Sequence, residues 1–166
     1  MYAIWILPHT DKDKELAQLI IKLSQEHDGP CFSPHITLLS GLQGNEKELI
    51  IKTSELAAKL TTLSVKTDVV ETQDSYYKSL YLKIIETKLL LESRRQAESL
   101  FHPQPVDEFM PHLSLLYGNQ SEQVKRQIIA SLKDKTRLDL LMDRVALVSA
   151  MGPPEKWITI STERLY

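Results

Sequence analysis

The amino-acid sequence predicts an α+β fold built by internal duplication. Hydrophobic periodicity indicates strands and helices that alternate along the chain, with pairs of strands between them. An eight-residue pattern occurs twice, about half the chain apart. The length of 166 residues is typical of one domain. We therefore expect a single domain over residues 1–166 with two pseudo-symmetric lobes, in which two antiparallel-rich sheets face a central cleft and the helices pack outside.

The first half of the chain is predicted from apolar periodicity and capping residues. An apolar run at the start is typical of a buried strand that ends at Pro8. Thr10 or Asp11 is a suitable cap for the helix that follows, and Asn45 is a suitable cap for the next one. In order, we expect a strand at 2–7, a helix to about residue 27, a strand at 34–42, a helix at 46–61 and a strand at 63–71.

The second half is predicted in the same way. Strict alternation of side chains favours a strand that starts at Tyr76, and Ser121 is a suitable cap for the last helix. Gly152 and the two prolines after it indicate a turn between the last two strands. In order, we expect a strand at 76–85, a helix at 86–101, a loop at 102–110, a strand through the second repeat, a helix to about residue 133, and strands at 137–149 and 156–162.

Composition limits the functions that the chain can have. Hydrophobic residues make up 42% of the sequence, charged residues 25%, and the net charge is −2. This balance argues against binding to long nucleic acid and leaves room for a small nucleotide in a local pocket. Cys31 is the single cysteine, so no internal disulfide forms. With no membrane-spanning apolar run, no basic leader and no coiled-coil pattern, we expect a cytoplasmic monomer.

The repeated pattern carries the chemistry. Each copy has a proline, a histidine, an aliphatic residue, a hydroxyl residue, two leucines, one variable residue and a glycine, in Pro34–Gly41 and Pro111–Gly118. Because strand side chains alternate between faces, His35 shares a face with Thr37, and His112 shares a face with Ser114. If the two strands face each other, two imidazoles and two hydroxyls converge on one cleft.

These four side chains suit acid–base chemistry on a phosphate. Two imidazoles can act as general acid and general base near neutral pH, and two hydroxyls can hold phosphate oxygens. The set includes no carboxylate or thiolate, so we expect no metal and no cofactor. A zinc site with a third ligand is the alternative, although no ligand spacing indicates it. We expect no catalytic role for the remaining histidines. His27 has a surface or capping role at a helix end, His102 is a loop residue, and His9 follows a proline at a strand end without a hydroxyl partner.

The paired motifs resemble those of the 2H phosphoesterase superfamily. The stretches Trp5–Pro8, Phe32–Thr37 and Met110–Tyr117 are similar to its cyclic phosphodiesterase branch. The resemblance implies metal-independent hydrolysis of a nucleoside 2′,3′-cyclic phosphate to a 2′-phosphate, or of ADP-ribose 1″,2″-cyclic phosphate to ADP-ribose 1″-phosphate. It also implies that His112 is the base and His35 the acid.

Three aromatic residues are candidates for substrate binding. The resemblance implies that Trp5 forms a wall of the nucleotide pocket and that Tyr117 lies near the substrate. Core packing is the alternative for both, since alternation places Tyr117 on the opposite face from His112. Tyr77, ahead of Tyr81, is our candidate for stacking on a base.

Two other functions stay open at this point. One is RNA-end processing, by a 2′-5′ RNA ligase-like enzyme or a 3′-end phosphodiesterase of the same superfamily. The other is a non-catalytic nucleotide-binding module. The near-neutral charge favours a small substrate over RNA, and turnover would distinguish an enzyme from a module.

Overall fold

The computed structural model describes residues 1–104, 109–132 and 136–166. Two short 3₁₀ turns, Tyr76–Lys78 and Pro154–Lys156, precede the fourth and seventh strands. The four α-helices are α1 Thr10–Glu26, α2 Glu46–Lys59, α3 Lys88–Phe101 and α4 Glu122–Leu132. The strands are β1 Tyr2–Pro8, β2 Ile36–Leu42, β3 Leu63–Glu71, β4 Leu80–Ile84, β5 His112–Leu116, β6 Asp139–Ser149 and β7 Ile158–Arg164.

All strand pairs are antiparallel, and the predicted α+β class is confirmed. Hydrogen bonds join the strands in the order β1-β2-β5-β4-β3-β6-β7, and β1 also pairs with β6. Two groups are therefore visible, one with β2, β1, β6 and β7 and the other with β5, β4 and β3. The groups are linked where β3 meets β6 and where Ile36 of β2 lies opposite Leu113 of β5. This second link brings the two repeats side by side.

The helices cover the sheet on one side. In α1, three buried side chains at helical spacing, Leu16, Ile20 and Leu23, join the main core. The predicted cap of α2 is confirmed, because the Asn45 side chain accepts hydrogen bonds from the N–H groups of Lys47 and Glu48. None of the helices in the described part of the chain combines the length and apolar composition that a membrane span requires.

The predicted cap of α1 is wrong. Thr10 is already the first helical residue, and His9 occupies the cap position without a side-chain cap bond. The His9 N–H instead donates to the carbonyl of Leu141, which holds the chain against β6 where the helix begins. Asp11 lies in the first turn, where its charge suits the helix dipole.

The predicted strand at 76–85 is also wrong in its first part. Residues 76–78 form a 3₁₀ turn, and the strand begins only at Leu80. The Gln73 N–H donates to the Lys78 carbonyl, and the Gly118 N–H donates to the Tyr76 carbonyl. The first bond is local and the second is tertiary, and together they override the β-propensity of two adjacent tyrosines. As a result Tyr77 lies at the protein surface.

Side chains of β1 divide between two apolar clusters. Ile4 and Ile6 are buried in the main core, between the sheet and the helices. Ala3 and Trp5 point to the opposite face, where they pack against Ala146, Val148 and Trp157. Alternation along one strand thus separates the main core from a smaller aromatic cluster. The small alanines on this second face leave space for a cavity.

Candidate active site

The two repeats meet in one cavity of about 330 Å³. All seven residues that the sequence singled out line it: Trp5, His35, Thr37, Tyr77, His112, Ser114 and Tyr117. β2 and β5 bring the two motifs together because they are neighbours in the sheet. A cavity of this size is within the range of small-molecule sites, roughly 300–1,000 Å³.

The two histidines are held in the same way. Nδ1 of His35 lies 2.7 Å from the Ser33 carbonyl oxygen, and Nδ1 of His112 lies 2.9 Å from the Met110 carbonyl oxygen. A carbonyl oxygen only accepts hydrogen bonds, so Nδ1 carries the proton in both neutral rings. Nε2 of each ring is therefore the nitrogen left to exchange a proton with a bound molecule.

Burial favours the neutral form of both rings. It lowers the pKa of His35 to about 4, against the opposing effect of the Ser33 carbonyl, and repulsion from His112 contributes in the same direction. Burial also lowers the pKa of His112, with a further contribution from the charge of Lys78. Both imidazoles are thus neutral in the free protein at pH 7, and each can accept a proton at Nε2.

Trp5 is both a core residue and a wall of the cavity. Its ring stacks on the His35 ring, with centroids 3.6 Å apart and planes 9° from parallel. Only 5% of Trp5 is exposed. The indole therefore excludes water from one face of His35, which contributes to the burial that lowers the histidine's pKa. Among the residues that the structure describes, no ring stacks on His112, whose ring meets the Tyr81 ring edge-on with centroids 5.3 Å apart.

The strand register determines which face of the sheet the two motif hydroxyls occupy. Thr37 lies opposite Trp5 in the pairing of β1 with β2, and Ser114 lies opposite Tyr81 in the pairing of β4 with β5. Opposite residues share a face of the sheet. Ser114 is buried and donates a hydrogen bond to the Tyr77 carbonyl at 3.3 Å. Both hydroxyls line the cavity. Ser114 has a single hydroxyl proton, so it can donate to a phosphate oxygen only by rotating away from the Tyr77 carbonyl.

Tyr117 lines the cavity because the alternation of β5 breaks before it. Tyr81 lies opposite Ser114 but Leu80 lies opposite Leu116, so the register shifts, and Leu115 and Leu116 both lie in the main core. Tyr117, which strict alternation placed away from His112, therefore returns to the cavity side. The ring stacks on Phe32 with centroids 3.8 Å apart and lies edge-on to Tyr77 at 5.4 Å. Burial raises the pKa of the Tyr117 phenol, so it stays a neutral hydroxyl group.

Tyr77 is the most exposed of the predicted aromatics, at 48%. It lies in the 3₁₀ turn at the rim of the cavity, as the candidate for base stacking requires. Tyr81, the weaker candidate, is buried and donates to the Glu71 carboxylate at 3.1 Å. It lies beside His112 and not among the cavity-lining residues.

Sequence reasoning missed two cavity residues with clear chemistry, Trp157 and Lys78. Trp157 lies 5.8 Å from Trp5 and 6.0 Å from Tyr77, and its ring is within 25° of parallel to that of Tyr77. Its Nε1 donates to the Gly152 carbonyl. The Gly-Pro-Pro turn before Trp157 is the one signal that would have drawn attention to it.

The remaining histidines lie outside this cavity. His9 contacts Asp143 at 2.8 Å, and His102 has a left-handed backbone with φ 46° at the end of α3. The His27 N–H donates to Leu23 at the end of α1. Cys31 is exposed and does not line the cavity. Within the described ranges, no three His, Cys, Asp or Glu residues lie together as a metal-binding group.

Comparisons with known proteins identify the family. The sequence model of the cyclic phosphodiesterase-like protein family matches residues 1–165. The chain is also similar to the cyclic phosphodiesterase of Arabidopsis thaliana, with 27% identity over 128 residues that cover 76% of this chain and 70% of the relative.

Solved structures share the fold. The chain resembles Escherichia coli LigT complexed with 3′-AMP, with a TM-score of 0.62, 15% identity, and coverage of 99% of this chain and 97% of that one. It also resembles TT0787 of Thermus thermophilus, with a TM-score of 0.64, 14% identity and the same coverage. The chain therefore belongs to the cyclic phosphodiesterase-like family of the 2H phosphoesterases, and it is an enzyme whose general reaction is the hydrolysis of a cyclic phosphodiester.

Proposed function

We propose that this enzyme hydrolyses the cyclic phosphate of a small nucleotide without a metal ion. The substrate is a nucleoside 2′,3′-cyclic phosphate, opened to the 2′-phosphate, or ADP-ribose 1″,2″-cyclic phosphate, opened to ADP-ribose 1″-phosphate. The observation that carries this proposal is the matched pair of histidines, each with Nδ1 held by the carbonyl two residues before it and Nε2 left for substrate. The two motif hydroxyls line the same cavity.

The reaction needs three contributions from the protein. One imidazole takes a proton from the attacking water as its oxygen bonds to phosphorus. The other gives a proton to the departing ribose oxygen as its bond to phosphorus breaks. This oxygen is O3′ of the nucleoside 2′,3′-cyclic phosphate or O2″ of ADP-ribose 1″,2″-cyclic phosphate. Thr37 and Ser114 donate hydrogen bonds to the non-bridging oxygens, where negative charge increases in the transition state. Release of strain in the five-membered ring assists the opening.

The two histidines need opposite protonation states. Both are neutral in the free protein, so the acid gains its proton when the anionic phosphate binds, because a nearby negative charge raises an imidazole pKa. We keep the assignment that the resemblance implies, with His112 as base and His35 as acid. With a pKa of about 4, protonated His35 is a strong proton donor, but little of it is present at pH 7 in the free protein. Bound phosphate must therefore raise the pKa of His35 and so increase the protonated fraction. Because both rings make the same Nδ1 contact, the geometry is equally compatible with His35 as base and His112 as acid.

The aromatic rim supports a nucleotide as the substrate. Tyr77 and Trp157 present nearly parallel rings, and Tyr117 lies edge-on to both. Aromatic rings stack on bases with little preference for base identity. Trp5 is already stacked on His35, so in this proposal it lines the pocket and the exposed Tyr77 binds the base.

The test is turnover in excess EDTA. Purified protein would be incubated with 2′,3′-cyclic AMP and with ADP-ribose 1″,2″-cyclic phosphate, and the products followed by phosphorus NMR. We expect a 2′-phosphate or a 1″-phosphate from the wild type and from His27→Ala, a matched control outside the cavity. We expect none from His35→Ala or His112→Ala. Tight AMP binding without turnover by the wild type would contradict the proposal and indicate a binding module.

A further inference from the structure

A cationic side chain lines the cavity, although the chain carries a net charge of −2. Among the cavity-lining residues in the described part of the chain, Lys78 is the one with a permanent side-chain charge, and no Asp or Glu lines the cavity. The two histidines are neutral at pH 7 in the free protein. Lys78 therefore contributes positive potential where an incoming anion binds.

The backbone of Lys78 is held in place. Its N–H donates to the Ser75 carbonyl at 3.1 Å, and its carbonyl accepts from the Gln73 N–H at 2.9 Å. The next residue, Ser79, is buried and donates to the Gln120 side chain at 2.7 Å. The Lys78 side chain thus starts from a fixed point, one residue after the Tyr77 carbonyl that accepts from Ser114.

The ammonium group of Lys78 is available to a ligand. Two other lysines near the site are paired, Lys83 with Glu71 at 3.3 Å and Lys125 with Glu122 at 3.0 Å. In the described ranges, no carboxylate lies within ion-pair distance of Lys78. A half-buried cation of this kind gains more from a bound phosphate than one already neutralised by a neighbour.

We propose that Lys78 is a phosphate-binding residue of this enzyme, which contacts a non-bridging phosphate oxygen of the substrate. This role rests on the proposed function, because the anion it binds is the cyclic phosphate. Lys78 adds full positive charge beside Thr37 and Ser114, which supply neutral donors. It also acts on His112 in the free protein, where its charge opposes protonation of the ring. Bound phosphate neutralises this effect.

Other groups also face His112 and must be considered in any titration. His35 lies across the cavity, and the Tyr81 ring meets the His112 ring edge-on. Lys83 lies opposite His112 in the sheet, and its charge is paired with Glu71, which also accepts from Tyr81. Lys78 is the one of these groups that is both cationic and cavity-lining, so its removal changes the field at His112 most directly.

The experiment compares Lys78→Met and Lys78→Arg with wild type, and with Lys14→Met as a control for the same loss of charge on an exposed helix position. The first readout is the His112 pKa in ligand-free protein, from ring-proton NMR titration. We expect it to rise in Lys78→Met and to stay at the wild-type value in Lys78→Arg and Lys14→Met. This readout needs no turnover, so it stands even if the proposed function fails.

The second readout is affinity for inorganic phosphate at pH 7, together with KM and kcat for the cyclic substrate. We expect Lys78→Met to weaken phosphate binding and raise KM by about tenfold. The difference from wild type should shrink in roughly 1 M salt, where the screening length is roughly 3 Å. Wild-type phosphate affinity and an unchanged His112 titration in Lys78→Met would overturn the proposal. Turnover absent in wild type would instead overturn the proposed function.

Discussion

The first and second motifs place the same side-chain groups, an imidazole and a hydroxyl, in different surroundings. Both histidines hold Nδ1 against a carbonyl two residues earlier. His35, however, is 5% exposed under the Trp5 ring, whereas His112 is less buried and lies near Lys78. Both copies of the repeat therefore fix the same imidazole tautomer, with the proton on Nδ1. The surroundings make the two histidines unequal, as an acid and a base must be.

The seventh residue of the repeat, Ser40 in the first motif and Tyr117 in the second, also differs in its surroundings. Ser40 lies within β2, which continues to Leu42, whereas Tyr117 follows the end of β5. Both residues line the cavity, and Tyr117 stacks on Phe32. The second motif therefore presents an aromatic ring to the cavity where the first presents a small side chain.

The largest expected effect is loss of either histidine. His35→Ala and His112→Ala should each lower kcat by about 10³-fold or more, because each removes one of two proton transfers. A cyclic substrate with sulfur at the leaving 3′ position separates their roles, since a thiolate leaves without protonation. On that substrate His35→Ala should recover most of the lost rate and His112→Ala should not. Recovery by His112→Ala alone would reverse the assignment.

Removal of the hydroxyls should have the next largest effect. Thr37→Val and Ser114→Ala should each reduce kcat by about 10²-fold, the loss typical of one donor to a transition-state oxyanion. Ser114→Ala should in addition raise KM, because its hydroxyl also holds the Tyr77 carbonyl. Steady-state kinetics of both variants would measure this. Wild-type kcat in either one would show that its hydroxyl does not contact the phosphate.

Burial of His35 should make stability depend on pH. Its pKa is about 4 in the folded protein and 6.5 without burial, so the unfolded chain binds more protons between these values. Stability is therefore highest above about pH 6.5 and falls as the pH drops towards 4, by up to about 3 kcal/mol from this residue. Urea unfolding should show a shallower pH slope for His35→Gln, and a smaller change for His112→Gln. Equal slopes for wild type and His35→Gln would contradict the burial effect.

The smallest expected effect concerns the variable residue. Tyr117→Leu should raise KM by about tenfold with little change in kcat, because it removes an aromatic ring next to the substrate but no proton donor. Ser40→Ala should raise KM by about twofold or less, since no ring is lost. Steady-state kinetics on one cyclic nucleotide, with thermal unfolding to verify folding, would measure both. A loss of kcat alone in Tyr117→Leu would indicate a role in the chemical step.

The four motif residues were predictable because they depend on local rules. Alternation in a strand puts His35 with Thr37 and His112 with Ser114 whatever the rest of the fold does. The matched copies then predicted two motif strands that face each other across a cleft, in two sheets. In the structure these strands are neighbours in one seven-stranded sheet, paired at Ile36 and Leu113, and both motifs line the same cavity. Asn45 as a helix cap was predictable for the same reason, since its bonds reach only two and three residues ahead.

Other residues reach the cavity through contacts between segments that are distant in the sequence, which strand alternation does not predict. Tyr77 and Lys78 enter the cavity through a 3₁₀ turn that is held by Gly118 and supported by Gln120, about forty residues along the chain. Trp157 lies in the connection between β6 and β7. Its position beside Trp5 depends on the pairing of β6 with β1.

By itself, the sequence determined that each motif histidine shares a strand face with a hydroxyl residue, and it determined the α+β class, because strand and helix periodicity depend on residues close together in the chain. The tertiary structure alone decided which aromatic rings and which cation surround those groups. It also decided how deeply each histidine is buried, because burial is produced by segments that meet only in the folded chain.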